Sequence, residues 1–328
     1  MIDRAVAALI LALTLIGAAC TTPSASAPPP SPSGSADSGS CAASPVPSVT
    51  PEGWDIPSDR PSVFPLIINP AGAIACGQTR LMFSFLDAQN LPVASPDRTV
   101  TVRLFDLGAD SATPRIEAPA TFIWAIEPTT GVYVVDADFP SSGTWGAEFV
   151  TAISDAATES IRVTFEVQPD ASVVSVGDAA PASDTPTLAD VGGDVAAIST
   201  DDEPVDAFYE TSVADALAAK KPFVLVFATP KFCATAQCGP TLDRIKPIAA
   251  AHPDVTFINL EPYALTMTDG ALQPVLTDGA LTPAPATNDW KLPAEPWVFV
   301  VDGDGIVTAS FMLIFGDAEL EAAVSAVE

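Results

Sequence analysis

The chain has 328 residues, of which 48% are hydrophobic, 33 are proline and 19 are glycine. This length and composition predict folded cores separated by stiff or mobile segments rather than one compact globule. Asp and Glu number 41 against 13 Lys and Arg, and the net charge of −28 disfavours nucleic acid or an anionic lipid surface as a partner. No nucleic-acid partner is therefore predicted.

Residues 1–20 have the pattern of an export signal. Arg4 precedes an apolar run over residues 5–19, which falls short of the roughly 18 residues expected of a membrane-spanning helix. The run ends in Gly-Ala-Ala-Cys, which resembles a bacterial lipoprotein processing site, with Gly17 where that motif usually has leucine. The resemblance implies that Cys20 is lipidated and anchors the chain at the extracytoplasmic face of the cell membrane. The alternative is ordinary secretion with Cys20 removed, and in both cases the chain reaches a compartment where disulfides persist.

Residues 21–59 are rich in Pro, Ser and Ala. Such a composition cannot bury a core, so the segment is predicted to be a disordered, extended tether. It would hold the folded parts away from the membrane or thread them into the cell wall.

Residues 60–169 have the alternation that is typical of β-strands. Apolar and polar residues alternate over residues 100–104 and 161–167. Further strands are predicted over residues 81–86, 121–126, 132–136 and 146–153. Short strands with regular turns favour a β-sandwich, and Ser-Gly-Thr-Trp-Gly at residues 142–146 resembles the late turn of immunoglobulin-like domains. The fold predicted for this domain is an all-β immunoglobulin-like sandwich.

Residues 208–328 have an α/β pattern. Helices are predicted over residues 208–220, 241–251 and 317–327, strands over 223–227 and 255–260, and a hairpin over 296–311. Ser212 or Thr211 is the expected N-cap of the first helix. A helix between two buried strands implies that those strands pair in parallel. Residues 263–290 have no clear period and are predicted to be an insertion that covers one edge near the active site.

Two stretches of this region carry a resemblance to the thioredoxin superfamily. Phe232 directly precedes Cys233, as a tryptophan precedes the family's first cysteine, and Cys-Gly-Pro at residues 238–240 repeats the start of its Cys-Gly-Pro-Cys signature, with Thr241 in the fourth position. Residues 295–307 resemble the cis-proline loop and hairpin of thioredoxin-like domains, especially those of envelope thiol oxidoreductases. The segment over residues 170–207 resembles the linker and leader hairpin that precede such domains, with the hairpin over residues 190–202.

The resemblance implies an α/β thioredoxin-like fold for residues 208–328 and thiol-disulfide exchange with exported proteins. It implies catalysis by Cys233 and Cys238 without a cofactor. The partner would bind at Phe232, Glu295, Pro296 and Trp297, where a cis Pro296 would present main-chain groups to an extended peptide.

The chain has five cysteines, which are Cys20, Cys41, Cys76, Cys233 and Cys238. If Cys20 is lipidated, the simplest pairing joins Cys233 to Cys238 and Cys41 to Cys76, the latter as a structural disulfide. In the alternative, Cys76 is buried and Cys41 is free.

Disulfide geometry restricts where the helix begins. Residues five apart in an α-helix have Cα atoms roughly 8.7 Å apart, which exceeds the span of a disulfide, so one of the two cysteines must lie outside the helix. Pro240 places the helix start near Gly239, and an alternative start lies near Thr235. A thiol at a helix N-terminus has a lowered pKa. The position after the strand favours Cys233 as the attacking thiol, whereas the Cys-Gly-Pro match favours Cys238.

Two features of the sequence oppose catalysis. Residues 224–226 supply no buried acid of the kind that thioredoxins use as a proton acceptor, and a carboxylate at Glu295 would raise the pKa of a nearby Cys233 thiol or else carry a proton. A non-catalytic binding or scaffold lipoprotein with a structural disulfide is therefore the first alternative function. Thiol peroxidase is the second, although Pro230 stands where such enzymes have Thr or Ser. The chain's single histidine, His252, lies after a helix, and no metal site is predicted.

Overall fold

The computed structural model describes residues 41–55, 61–154 and 156–328. The predicted export signal, the lipidation site Cys20 and the first part of the predicted tether lie outside the described residues. Cys41–Glu328 form one structural unit. Within the described ranges, no helix combines the length and the apolar character needed to cross a bilayer.

The first half of the described chain consists of strands. These are β1 (Ala42–Ala43), β2 (Phe64–Ile67), β3 (Gly77–Leu86), β4 (Arg98–Asp106), β5 (Ile116–Pro119), β6 (Thr121–Ile126), β7 (Thr130–Phe139), β8 (Ser141–Ile153) and β9 (Glu159–Val167). They form two sheets, one in the order β1-β8-β4-β5 with β9 also paired to β8, and one in the order β2-β3-β7-β6. Each strand predicted from the alternation lies within an observed strand.

The inner faces of these two sheets share one apolar core. The ring centroids of Phe83 on β3 and Phe149 on β8 lie 4.7 Å apart, and those of Phe83 and Tyr133 lie 5.6 Å apart. On β4, Val100, Val102 and Leu104 are buried in this core while the residues between them are less buried. The period of two therefore decides which face of each strand is covered.

Residues 41–55 correct the predicted extent of the tether. Ala42 pairs with Ser141 of β8, and a disulfide joins Cys41 to Cys76 with a Cα separation of 6.0 Å, which is the pairing that the cysteine count predicted. Trp54 is 5% exposed and lies edge-on to Phe105 at a centroid distance of 5.1 Å. One aromatic side chain and one disulfide hold this proline-rich stretch on the sandwich, although its composition alone resembles that of a disordered segment.

The second half of the described chain contains both helices and strands. Its elements are α1 (Val213–Ala218), β10 (Phe223–Phe227), α2 (Cys238–Ala251), β11 (Thr256–Leu260), β12 (Leu265–Thr268), β13 (Ala271–Pro274), β14 (Leu276–Thr277), β15 (Ala280–Leu281), α3 (Pro285–Asp289), β16 (Trp297–Val301), β17 (Val307–Met312) and α4 (Asp317–Ser325). Ser212 is the N-cap of α1 and accepts a hydrogen bond from the Asp215 amide.

A four-stranded sheet in the order β11-β10-β16-β17 is the centre of this half. β10 and β11 pair in parallel, as predicted, and β16 runs antiparallel to β10 and to β17. Every residue of β10 and of β16 is buried, as expected for strands that are covered on both faces. The predicted insertion forms two short hairpins, β12–β13 and β14–β15, followed by α3.

The predicted leader hairpin within residues 170–207 is absent, and this prediction was wrong. That segment contains turns and a 3-10 helix over Val195–Ala197 in place of paired strands. Gly192 and Gly193 have φ angles of 64° and 89°, which turn the chain where a hairpin strand would need extended backbone.

The sandwich and the four-stranded sheet also share a core. Met82 of β3 and Val134 of β7, which face away from the sandwich interior, pack in one cluster with Phe227, Trp297 and Phe299 of the four-stranded sheet. The two halves are therefore joined by buried apolar surface as well as by the segment between them.

Ionic contacts lie beside this shared core. Arg80 of β3 binds Glu319 of α4 through two hydrogen bonds of 2.8 and 2.9 Å. A cavity of about 580 Å³ opens next to this pair between the two halves, and Trp297 and Ser310 are among its walls. Neither Cys233 nor Cys238 lines that cavity.

Candidate dithiol site

Cys233 and Cys238 are joined by a disulfide at the junction of β10 and α2. Cys233 lies in the loop after β10, Cys238 is the first residue of α2, and their Cα atoms are 6.1 Å apart. This separation lies in the ordinary range for a disulfide, which requires one cysteine outside the regular helix. Pro240 is the third helical residue rather than the first, a position where the missing N–H removes no intrahelical hydrogen bond.

The two sulfurs differ in access to solvent. Cys238 is fully buried, whereas Cys233 is partly exposed. The Cys238 amide donates to Cys233 Sγ at 3.3 Å, and the Thr235 hydroxyl lies 3.3 Å from the same sulfur. An N–H at the start of a 14-residue helix would stabilise negative charge on Cys233 when the disulfide is opened. Access and hydrogen bonding therefore both favour Cys233 as the sulfur that meets a partner.

Glu295 holds the disulfide loop in place. Its Oε1 accepts a hydrogen bond from the Ala234 amide at 3.1 Å, and its main-chain oxygen accepts one from the Thr235 hydroxyl at 3.2 Å. Its Oε2 accepts a third from the Tyr263 hydroxyl at 2.6 Å. The side chain is 5% exposed, so the carboxylate faces the chain's own loop rather than a partner.

The peptide bond between Glu295 and Pro296 is cis, as the resemblance implied, and Pro296 is buried. Through Glu295, the cis-proline loop meets the disulfide loop. The structure therefore brings the pair of Cys233 and Cys238 together with the loop of Pro296, which comes much later in the sequence.

Trp297 and Phe232, the other two residues predicted to bind the partner, differ in their exposure to solvent. Trp297 is 3% exposed, and its indole N–H donates to Ser310 Oγ at 2.8 Å within the shared core. Alternation along β16 turns this side chain toward the sandwich, which a reading of the loop alone did not anticipate. Phe232 is partly exposed, and its amide donates to the Thr229 carbonyl at 3.3 Å. Of these residues, Phe232 alone retains partly exposed surface beside Cys233.

Two residues near the site were missed by the sequence analysis. Tyr263 contacts Glu295, and burial together with this hydrogen bond to a carboxylate raises the pKa of Tyr263. Glu261 follows β11 directly and is 6% exposed, and burial raises the pKa of its carboxyl.

Glu261 lies at the edge of the sheet where the cysteine loop begins. The Ala228 amide, which follows β10, donates to Leu260 at the end of β11 at 3.1 Å. Because the ends of parallel strands meet at one edge, the position of Glu261 directly after a buried strand was a signal that could have identified it.

No protein-family model and no curated protein matches the chain. Three solved structures show weak likeness. A structure of MTB dsbF in mixed oxidized and reduced forms has 23% identity, covers 35% of this chain and 86% of its own, and has a TM-score of 0.26. A DUF4426 family protein from Pseudomonas aeruginosa PAO1 has 15% identity, covers 33% and 90%, and has a TM-score of 0.23. The Lin-41 filamin domain has 11% identity, covers 32% and 92%, and has a TM-score of 0.19.

Proposed function

We propose that the protein exchanges disulfides with thiols of exported proteins through Cys233 and Cys238. The observation that carries this proposal is the asymmetry of the pair, in which a partly exposed Cys233 is bonded to a fully buried Cys238 at the first turn of α2. A structural disulfide needs no exposed sulfur, whereas an exchanging pair needs one sulfur that a partner reaches and one that it does not.

The reaction is thiol-disulfide exchange. In the reduced protein the Cys233 thiolate attacks one sulfur of a partner disulfide, a mixed disulfide forms, and the other partner sulfur leaves as a thiolate. The Cys238 thiol then loses its proton and attacks Cys233 Sγ, which expels the second partner thiolate. The partner gains two electrons, the protein dithiol becomes a disulfide, and the reverse sequence oxidises a partner dithiol.

The wider setting is part of the same proposal. The C-terminal half would be a thioredoxin-like domain, and the N-terminal half an immunoglobulin-like sandwich. Lipidation at Cys20 would anchor the chain at the extracytoplasmic face of the membrane. Two disulfides in the described residues fit a compartment in which disulfides persist.

Single cysteine variants test the exchange. Cys233→Ser is expected to abolish rapid reduction of a small disulfide substrate by the pre-reduced protein, because the thiol that remains in this pair, Cys238, is buried. The Cys238→Ser variant is expected to accumulate a mixed disulfide between Cys233 and the substrate, because the thiol that would release the substrate is gone. The double variant Cys41→Ser, Cys76→Ser is the matched control and should keep the rate. A Cys233→Ser protein that reduces the substrate as fast as the wild type would disprove the proposal.

A non-catalytic scaffold with a structural disulfide is the second candidate. The three hydrogen bonds from the loop and Tyr263 to Glu295 favour it, because they hold the oxidised loop closed. The reduction potential of the disulfide between Cys233 and Cys238 distinguishes the two candidate functions. A value below about −300 mV identifies a structural bridge, and a higher value identifies a working dithiol.

A further inference from the structure

The outward face of the β2-β3-β7-β6 sheet continues beyond the part that the C-terminal half covers. At this end of the sheet Phe64 pairs with Leu86, and Leu66 pairs with Ser84. Directly opposed residues of a sheet share a face, as do residues two apart along a strand. The three apolar residues of these pairs therefore lie on the same face as Met82, which is buried in the shared core.

The opposite edge strand of the same sheet adds Ile126 to this face. Ile126 of β6 pairs with Thr130 of β7, and Val132, two residues further along β7, is buried in the shared core. Apolar side chains that stand out from both edge strands of one face are unusual for a surface without a partner. We call the four residues Phe64, Leu66, Leu86 and Ile126 the outer apolar strip, and the first, second and fourth are 54%, 45% and 50% exposed.

Contacts along β3 place the outer apolar strip toward the cis-proline end of the four-stranded sheet. Arg80 lies over the ring of Phe311 at 5.6 Å. Met82 packs in the shared core with Trp297, the first residue of β16, which is one pairing step nearer the cis-proline loop than Phe311. Leu86 lies four residues, or about 13 Å, further along β3 in the same direction. The strip therefore continues past the end of β16 that follows the cis-proline loop.

A second contact places β6 beside the helix that carries the disulfide. Arg244 of α2 donates to the Trp124 carbonyl at 3.1 Å and to the Phe315 carbonyl at 2.8 Å. Trp124 precedes Ile126 by two residues, and Arg244 follows Cys238 by six, which is about 9 Å along the helix axis. One end of the outer apolar strip is therefore close to α2.

Charge indicates what kind of molecule the strip accepts. The net charge of −28 disfavours both a second copy of this chain and an anionic bilayer. Asp87 and Glu127 directly follow Leu86 and Ile126 in the sequence, so the two sides of the strip carry acidic residues. A polypeptide segment with apolar side chains between Lys or Arg residues matches this surface in both respects.

We propose that the outer apolar strip binds an apolar segment, flanked by Lys or Arg, of the polypeptide whose disulfide is exchanged at Cys233. The inference rests on the proposed function, because it takes the bound polypeptide to be the exchange substrate. The strip holds the segment while its sulfur reaches Cys233. The sandwich thereby recognises the partner, and a small disulfide without such a segment gains nothing from it.

Binding is tested on the full oxidised chain, without any exchange, by calorimetric titration with acetyl-Lys-Ala-Phe-Ala-Leu-Ala-Lys-amide. The double variant Phe64→Ser, Leu66→Ser should bind this peptide about tenfold more weakly than the wild type. The double variant Val46→Ser, Val49→Ser is the matched control. It removes two residues that are 85% and 75% exposed from the segment after β1, beside the other sheet, and should leave the affinity within about twofold. Glutamate in place of both lysines should weaken binding by the wild type.

The link to exchange is tested with the same peptide extended by a cysteine in a disulfide with glutathione. The reduced wild type should reduce this peptide disulfide about tenfold faster than it reduces oxidised glutathione. The double variant Phe64→Ser, Leu66→Ser should lose that advantage and keep its rate with oxidised glutathione. A wild type that reduces neither disulfide would contradict the exchange function, and the titration would still decide whether the strip binds the peptide.

Ile126→Ser tests the strip from the opposite edge strand and serves if the double variant does not fold. Unchanged peptide affinity in both the double variant and Ile126→Ser would overturn the proposal, as would no measurable binding to the wild type at millimolar peptide. A dimer in sedimentation that these variants dissociate would assign the strip to a second copy of the chain. Binding to anionic vesicles that these variants abolish would assign it to a membrane, and either result would also overturn the proposal.

Discussion

The hydroxyl of Tyr263 donates a hydrogen bond of 2.6 Å to Oε2 of Glu295, and the other oxygen of that carboxylate holds the Ala234 amide of the disulfide loop. A residue from the insertion between β11 and β16 therefore supports the loop that carries Cys233. This arrangement gives the insertion a structural role at the dithiol site.

Tyr263→Phe tests this support. The variant leaves a buried carboxylate with one donor fewer, and hydrogen bonds to charged groups contribute about 1.5–3 kcal/mol. We expect the free energy of unfolding of the oxidised protein to fall by about 1–2 kcal/mol in urea denaturation. In a Glu295→Gln background, Tyr263→Phe should lower the free energy of unfolding by much less. Equal losses in both backgrounds would show that the hydrogen bond does not carry the effect.

Glu261 should make stability depend on pH. Burial raises the pKa of its carboxyl in the folded state, so the folded protein binds a proton that the unfolded chain has already lost above about pH 4.3. This contribution to stability is complete below the unfolded pKa and is lost as pH rises through the folded pKa. Glu261→Gln should therefore become more stable relative to wild type between pH 4 and pH 8. A stability difference that stays constant or reverses across this range, measured in urea at each pH, would contradict the assignment.

Arg80→Met tests the ionic contact between the two halves. Arg80 and Glu319 have side-chain exposures of 10% and 27%, and the variant leaves the carboxylate partly buried without its partner. We expect a loss of about 1–3 kcal/mol in the free energy of unfolding. Glu117→Gln is the control, because it removes only the pair of Arg103 and Glu117, whose side chains are 38% and 50% exposed, and so exposed a pair contributes little to stability. Similar losses in the two variants would argue against a special role for Arg80.

The disulfide between Cys41 and Cys76 should contribute to stability alone. It closes a loop with a sequence separation of 35, for which the chain-entropy relation gives about 3–4 kcal/mol. The double variant Cys41→Ser, Cys76→Ser should lose stability by that order in guanidinium denaturation. Loss of exchange activity in a variant that is still folded would mean that this disulfide also acts in the reaction.

Trp297→Ala should affect folding rather than partner affinity. The side chain is 3% exposed in the shared core, and removing a large buried aromatic costs about 3–5 kcal/mol. Phe232→Ala, at a partly exposed position beside Cys233, should leave stability within about 1 kcal/mol of wild type and change the exchange rate. A stable Trp297→Ala protein with weakened partner binding would restore the role first predicted for Trp297.

Local patterns predicted the elements well, and long-range contacts explain what they missed. The runs at Phe223–Phe227 and Thr256–Leu260 are short, apolar and separated by a helix, so their parallel pairing follows from the chain itself. The contact between Ala234 and Glu295 joins residues 61 apart, and no local pattern encodes it. The predicted tether extends too far toward the C-terminus, because composition does not show that Trp54 packs against Phe105.

Met82 and Val134, in the middle of the outward face of the β2-β3-β7-β6 sheet, are buried in one cluster with Trp297 and Phe299, so separating the two halves would expose apolar surface on each of them. If either half were replaced by a homologous domain during evolution, apolar surface on the other half would lose its complementary partner. Substitutions at Met82 or Val134 should therefore be inherited together with compensating ones in β16. Truncated versions used for crystallisation or immunisation would need polar replacements on that face to remain in solution.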